Sequence, residues 1–98
     1  MTRWISFQEL AELELIEAVN YYNSQRPGLG STFLDEVERA INQVRENPEA
    51  APLVNQLVRR KLVRRFPYSI MYSVQSNSVH ILAVANQRRR PFYWRGRR

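Results

Sequence analysis

The sequence predicts an α+β domain in which an N-terminal helical hairpin packs on a small antiparallel β-sheet. Two observations carry this prediction. Apolar residues recur with helical spacing in the first half of the 98-residue chain, and in the second half they alternate or run together in short segments. A chain of this length holds one domain, so residues 1–98 are expected to fold as a single unit. The hydrophobic content of 44% supports a packed core and argues against disorder.

The first elements are predicted to be a short strand at residues 3–7 and a helix that ends near Ser24. Ser6 and Glu9 have capping-box spacing, which favours a helix start at residue 7 or 8. Residues 26–30, Arg-Pro-Gly-Leu-Gly, form the following turn, because proline ends a helix and glycine permits unusual backbone angles.

A second helix is predicted to begin after this turn, with Ser31 or Thr32 as its cap. Asn47-Pro48 ends this helix. The apolar positions of the helix fall on one face; they are Phe33, Val37, Ala40, Ile41 and Val44. The short connection implies that the two helices pack side by side in opposite directions.

Three strands are predicted next, at residues 57–66, 68–74 and 79–85, and they form an antiparallel meander. The first strand of the chain can join this sheet at an edge. In the final segment, residues 86–98, Phe92 and Trp94 are expected to dock on the domain, whereas the last three or four residues are expected to be disordered. Trp4 and Trp94 are interpreted as lids on the core.

Charge divides the chain more sharply than hydrophobicity does. Residues 1–50 carry four arginines and all nine acids, a net charge of −5, and the acids are expected at solvent positions. Residues 51–98 carry eleven basic residues and no acid, a net charge of +11. Such a basic half predicts binding to a polyanion or to an acidic protein.

Several classes of protein are excluded by what the sequence lacks. The chain has no cysteine, which excludes disulfides, thiolate zinc sites and cysteine nucleophiles. The longest apolar run, residues 81–85, is too short to cross a bilayer, and no secretory signal opens the chain. These features predict a cytoplasmic protein that does not enter a membrane.

Taken together, five segments resemble the RelE/ParE superfamily of toxins from type II toxin–antitoxin modules, with the ParE side the nearer match. The resemblance runs from Ile5 to Trp94 and rests on the order and spacing of these segments, which are 17–22, 27–37, 47–52, 64–72 and 81–94. It implies a growth inhibitor of the plasmid-stabilisation type, neutralised by a cognate antitoxin with an acidic tail. Many relatives carry a histidine where this chain has Asn86.

The resemblance leaves the target open between two classes. ParE-like members poison DNA gyrase by binding, whereas RelE-like members cleave messenger RNA on the ribosome. A third hypothesis is a non-toxic basic module that binds RNA. If the chain is a nuclease, the residues that match the cationic and phenolic site of RelE-like enzymes by position are Lys61, Arg65, Arg89 and Tyr93.

In that nuclease hypothesis Arg65 and Arg89 would hold phosphate. Lys61 or Tyr93 would have to act as base, with a pKa lowered by neighbouring cations. Six further arginines are candidates for binding the target or nucleic acid; they are Arg59, Arg60, Arg64, Arg88, Arg90 and Arg95. His80 is interpreted as a strand histidine bonded to a neighbour. No metal site and no cofactor are expected.

Overall fold

The computed structural model describes residues 3–98 and contains two helices and four strands. In chain order they are β1 (Trp4–Phe7), α1 (Glu9–Gln25), α2 (Leu29–Glu46), β2 (Val58–Leu62), β3 (Tyr68–Gln75) and β4 (Ser78–Asn86). Residues 87–98 follow β4 and are called the tail below. The predicted α+β class and the helical hairpin are confirmed.

The sheet has the strand order β1-β4-β3-β2. β2, β3 and β4 form the predicted antiparallel meander. β1 pairs with β4 in parallel, so the sheet is mixed rather than wholly antiparallel. The helical hairpin separates β1 from the meander in sequence, and therefore no tight turn obliges β1 to run opposite to its neighbour.

The start of α1 differs from the predicted capping box. Ser6 belongs to β1, and its hydroxyl lies 2.7 Å from Nδ1 of His80, the residue beside it in the sheet. Gln8 caps the helix instead: its Oε1 accepts hydrogen bonds from the backbone N–H groups of Leu10 and Ala11. Because β1 extends to Phe7, Ser6 is a strand residue, and its side chain bonds to the neighbouring strand instead of capping the helix.

The turn between the helices is shaped by two glycines. Gly28 has a φ of 87° and precedes α2, which begins at Leu29 rather than after Ser31 or Thr32. The N–H of Gly30 donates to Oδ1 of Asn23 in α1 at 2.8 Å, so the first helix supplies the cap of the second. A Cβ atom on Gly30 would lie 2.4 Å from the carbonyl oxygen of Val19, which makes glycine the residue that permits this approach.

The main core lies between the helices and one face of the sheet. Phe33, Ile70, Tyr72 and Ile81 are completely buried there. An aromatic group surrounds Phe33, with ring centroids 4.9–5.2 Å from it; its other members are Tyr22, Phe66 and Tyr68. The Tyr72 hydroxyl donates to the carbonyl oxygen of Pro48 at 2.6 Å, which ties β3 to the chain after α2.

The other face of the sheet has a smaller core that the tail covers. Trp94 is 5% exposed and packs with Met71, Leu82 and Ala83, which confirms that it docks. Phe92 remains 39% exposed beside it. Trp4 is 74% exposed, so its interpretation as a lid is wrong. Trp4 begins an edge strand, and because the next residue, Ile5, packs on the core under the helices, the side chain of Trp4 points to the opposite face.

Neither helix in the described part of the chain is long and apolar enough to cross a membrane.

Candidate functional site at the tail

Glu14 of α1 is the residue on which the tail converges. Its Oε2 accepts a hydrogen bond from the Tyr93 hydroxyl at 2.7 Å, and both oxygens accept bonds from the Arg97 guanidinium, at 2.8 and 3.1 Å. Arg89 lies 3.9 Å from the same carboxylate. The side chains of Glu14 and Arg97 are only 14% and 12% exposed. These four residues are called the Glu14 cluster.

The Glu14 cluster also completes the edge of β4. β1 pairs with residues 78–81 of β4 and ends there. Beyond that point, the Val84 N–H donates to Glu14 Oε1 at 3.1 Å, and the Leu82 carbonyl oxygen accepts from Arg97 at 3.1 Å. A buried backbone group needs a partner, and here two side chains take the place of the missing strand.

Tyr93 is held as a neutral hydrogen-bond donor. Burial raises the pKa of its phenol, and the hydrogen bond to Glu14 and the charge of that carboxylate raise the pKa further, although Arg89 and Arg97 act in the opposite direction. The Arg89 guanidinium lies 3.9 Å from the centroid of the Tyr93 ring, within cation–π distance. The nuclease hypothesis requires a lowered pKa at Tyr93; the neighbouring cations Arg89 and Arg97 do act in that direction, but burial and Glu14 outweigh them and the pKa is raised.

A concavity of about 200 Å³ lies between the tail and the sheet. Met71 and Ala85 line it together with Phe92 and Trp94, and three guanidinium-bearing residues contribute to its walls; they are Arg60, Arg89 and Arg90. The structure thus brings together residues from β2 and from the tail that are about thirty positions apart in the sequence.

Lys61 and Arg65 lie apart from Arg89 and Tyr93. Lys61 stands opposite Ile70 in the register, on the face of the sheet that the helices cover, and lines a groove of about 440 Å³ beside the end of α2. Arg65 has a φ of 74° and lies 3.9 Å from Glu36 of α2. The four candidates for a nuclease site are therefore divided between two sides of the sheet.

The remaining candidate arginines differ in how they are held. Arg59 donates to the carbonyl oxygens of Glu49 and Ala51, which fixes the segment before β2. Arg95 lies 4.9 Å from the centroid of the Phe92 ring and is exposed. Arg64, Arg88 and Arg90 are also exposed. The tail thus presents several guanidinium groups to solvent from a backbone that Trp94 and the Glu14 cluster anchor.

Residues 5–91 match the protein family described as the ParE toxin of type II toxin-antitoxin system, parDE. The chain belongs to this family. A chain of a chromosomal ParDE toxin–antitoxin system from P. aeruginosa has a similar structure, with a TM-score of 0.75 at 15% identity over 87% of this chain and 96% of that chain. A mutant of the E. coli toxin RelE in the free state has a TM-score of 0.68 at 22% identity over 90% and 86% of the two chains. No curated protein matches the sequence.

The predicted toxin family of the RelE/ParE superfamily is thereby confirmed. The two structural similarities, at such low identity, support the shared fold. A ParE-family toxin belongs to a two-component system, so an antitoxin partner is supported as well.

Two acids of this ParE-family toxin do not lie at the solvent positions predicted for them. Glu14 and Glu36 have side chains only 14% and 8% exposed. A signal was present in the sequence: Glu14 lies three residues after Ala11 and four before Ala18, both buried, so it shares their helical stripe. Glu36 follows Phe33 by three residues in the same way. The charge of these two residues, taken alone, wrongly predicted that their side chains face solvent.

The hydrogen bond between Ser6 and His80 agrees with the interpretation of His80 as a strand histidine bonded to a neighbour. Within residues 3–98, histidine and acidic side chains form no group of three or more that could hold a metal ion.

Proposed function

We propose that this ParE-family toxin arrests growth by binding DNA gyrase in the cytoplasm, and that its tail forms the binding surface. No bond of the target is broken by the toxin in this proposal. A cognate antitoxin with an acidic segment neutralises it by covering basic surface of the chain.

The observation that carries the proposal is the state of Tyr93. A nuclease that attacks through the 2′-hydroxyl of RNA needs a group that accepts a proton. The Tyr93 hydroxyl instead donates a hydrogen bond to Glu14, and burial together with that hydrogen bond raises the pKa of its phenol. Lys61, the other candidate base, lies on the opposite face of the sheet from the concavity that Arg89 and Tyr93 line. Neither candidate base is thus set up to accept a proton beside Arg89, which favours binding over cleavage.

The charge of the tail supports the same proposal. The tail carries six arginines and no acid. Arg97 is held by Glu14, whereas Arg88, Arg90, Arg95 and Arg98 are exposed, and Arg89 is exposed as well although it lies 3.9 Å from the same carboxylate. Charges at the rim of an interface raise the association rate and contribute little individually, whereas their sum provides electrostatic complementarity to an acidic surface.

The proposal is tested with purified toxin in two assays run side by side: supercoiling by DNA gyrase, and cleavage of messages on translating ribosomes. Inhibition of gyrase with intact messages is expected. Single replacement of Arg88, Arg90 or Arg95 by Ala should weaken inhibition by about 2–5-fold, and the triple variant should weaken it by much more. Arg26→Ala is the matched control, because Arg26 is an exposed arginine in the turn between the helices.

The opposite pattern would overturn the proposal. If messages are cut on ribosomes while gyrase is unaffected, the toxin is an endoribonuclease, and Arg89→Ala should then reduce cleavage by on the order of 100-fold, because a transition-state cation is lost. Induced expression gives the same distinction in cells. A gyrase poison triggers DNA damage while translation continues, a nuclease stops translation at once, and a harmless RNA-binding module permits growth.

A further inference from the structure

We propose that Glu14 is the positioning residue of the tail, and that its carboxylate determines whether the exposed arginines of the tail are presented to the target. This inference rests on the proposed function, because it assigns the tail as the binding surface. Glu14 itself, with a side chain only 14% exposed, lies under the tail and does not contact the target in this proposal.

The first argument is the number of donors that one carboxylate satisfies. Glu14 accepts hydrogen bonds from the Val84 N–H, the Tyr93 hydroxyl and both terminal nitrogens of Arg97. These donors come from β4 and from two points of the tail. Hydrogen bonds to a buried charge are stronger than neutral ones, and a two-point contact with a guanidinium also fixes its orientation. Glu14 therefore joins α1, β4 and the tail at one point.

The second argument is that the C-terminal part of the tail has few other attachments. Gln87, at the start of the tail, donates to the carbonyl oxygens of Pro67 and Tyr68, whereas the bonds from Arg95 N–H to Phe92 and from Arg97 N–H to Trp94 stay within the tail. Trp94 and the Tyr93 ring supply apolar contacts, and Glu14 together with the Leu82 carbonyl oxygen supplies the polar ones. Phe92 in the tail also has a φ of 60°, in the left-handed region that few residues other than glycine adopt.

The third argument is geometric. Tyr93 and Arg97, which Glu14 holds, lie on either side of Arg95 in the sequence. Arg89, which is 3.9 Å from the Glu14 carboxylate with a side chain 55% exposed, lies between Arg88 and Arg90. Loss of the carboxylate would release the residues that contact it and with them the arrangement of the neighbouring exposed guanidinium groups.

The experiment replaces Glu14 by Gln, which keeps the size of the side chain and removes its charge. Hydrogen exchange should then show faster exchange at the amides of Tyr93, Arg95 and Arg97, with unchanged protection in β3 and in β4 apart from Val84, whose N–H donates to Glu14. The toxin concentration that arrests growth should rise by on the order of 10-fold, the equivalent of losing one charged hydrogen bond. Glu12→Gln is the matched control, because Glu12 is an exposed acid of the same helix; it should change neither measurement.

A double-mutant cycle separates positioning from general stability. If Glu14 acts partly through Arg97, the double variant of Glu14→Gln and Arg97→Gln should weaken growth arrest by clearly less than the sum of the two single losses, because both substitutions remove the contact that the two residues share. Additive losses would overturn the inference, and so would unchanged exchange in the tail of Glu14→Gln. Growth arrest is independent of the target's identity, so a failure of the gyrase assay alone would reject the proposed target and leave this inference standing.

Glu14→Gln could also reduce protection throughout the sheet. In that case Tyr93→Phe and Arg97→Lys decide the question, because each weakens one contact and leaves the carboxylate in place. Faster exchange confined to the tail, with weaker arrest, supports the inference. Tail exchange and arrest equal to those of the unmodified toxin overturn it.

Discussion

The two faces of the sheet are covered in different ways. On one face, two helices of 17 and 18 residues bury Phe33, Ile70, Tyr72 and Ile81 completely. On the other face, the twelve-residue tail covers Met71, Leu82 and Ala83 with Trp94, beside which Tyr93 packs, and is held by the Glu14 cluster. The helical face has many mutually supporting contacts, whereas the tail face depends on few.

This difference separates stability from function within one small domain. Elements that open locally have few buried apolar contacts, and binding surfaces are often found among them. The exposed arginines lie on the sparsely attached tail, while the helical hairpin carries most of the core. Substitutions on the two faces are therefore expected to change different properties of the protein.

The largest effect is expected for large-to-small substitution on the helical face. Phe33→Ala should lower the free energy of unfolding by about 3–5 kcal/mol, because it removes a fully buried ring from an aromatic group. Trp94→Ala should cost less in global unfolding, since the tail can detach while the helical core remains, and should instead increase hydrogen exchange in the tail. Urea denaturation of both variants checks the comparison. Equal loss of global stability would mean that the tail is an integral part of the core.

Helical and strand periodicity were sufficient to predict the helical face from the sequence. Phe33, Val37, Ala40, Ile41 and Val44 were predicted on one face and all are buried. The meander also followed, because its strands are short, apolar and separated by turns. These features depend on local patterns that repeat along the chain.

The caps and the Glu14 cluster could not be predicted in the same way. Gly30 is capped by Asn23, which lies on the other helix, and Glu14 meets Tyr93 across 79 positions of sequence. Such contacts depend on the packing of whole elements, which residue spacing does not encode. The parallel pairing of β1 was missed for the same reason, because it follows from the return of the chain through the hairpin.

An intermediate effect should distinguish the two buried acids. Glu36 Oε1 has no hydrogen-bond partner within the described residues; Arg39 and Arg65 lie 3.5 and 3.9 Å from the carboxylate, and both are more than half exposed. Exposed partners are screened by solvent, so the two arginines offset only part of the cost of burying the Glu36 charge. Glu36→Gln should therefore lower the free energy of unfolding by at most about 1 kcal/mol, less than Glu14→Gln. A larger loss for Glu36→Gln in urea denaturation would reverse this ranking.

The smallest effect is a pH dependence that belongs to the tail face. Tyr93 has a raised pKa in the folded protein because of burial and its bond to Glu14, whereas an unfolded tyrosine titrates near about 10. Its contribution to stability is therefore complete below about pH 10 and declines as the pH rises through the folded pKa, because the unfolded chain releases the proton more easily.

Tyr93→Phe removes this contribution and leaves the other tyrosines in place, including Tyr22 and Tyr72, whose pKa values burial also raises. Urea denaturation of both proteins at a series of pH values should show that the free energy of unfolding falls more steeply above about pH 10 in the unmodified chain than in the variant. Parallel curves would mean that the Tyr93 hydroxyl ionises as readily in the folded protein as in the unfolded one. The hydroxyl would then be available as a base, and the case for binding without chemistry would lose its main support.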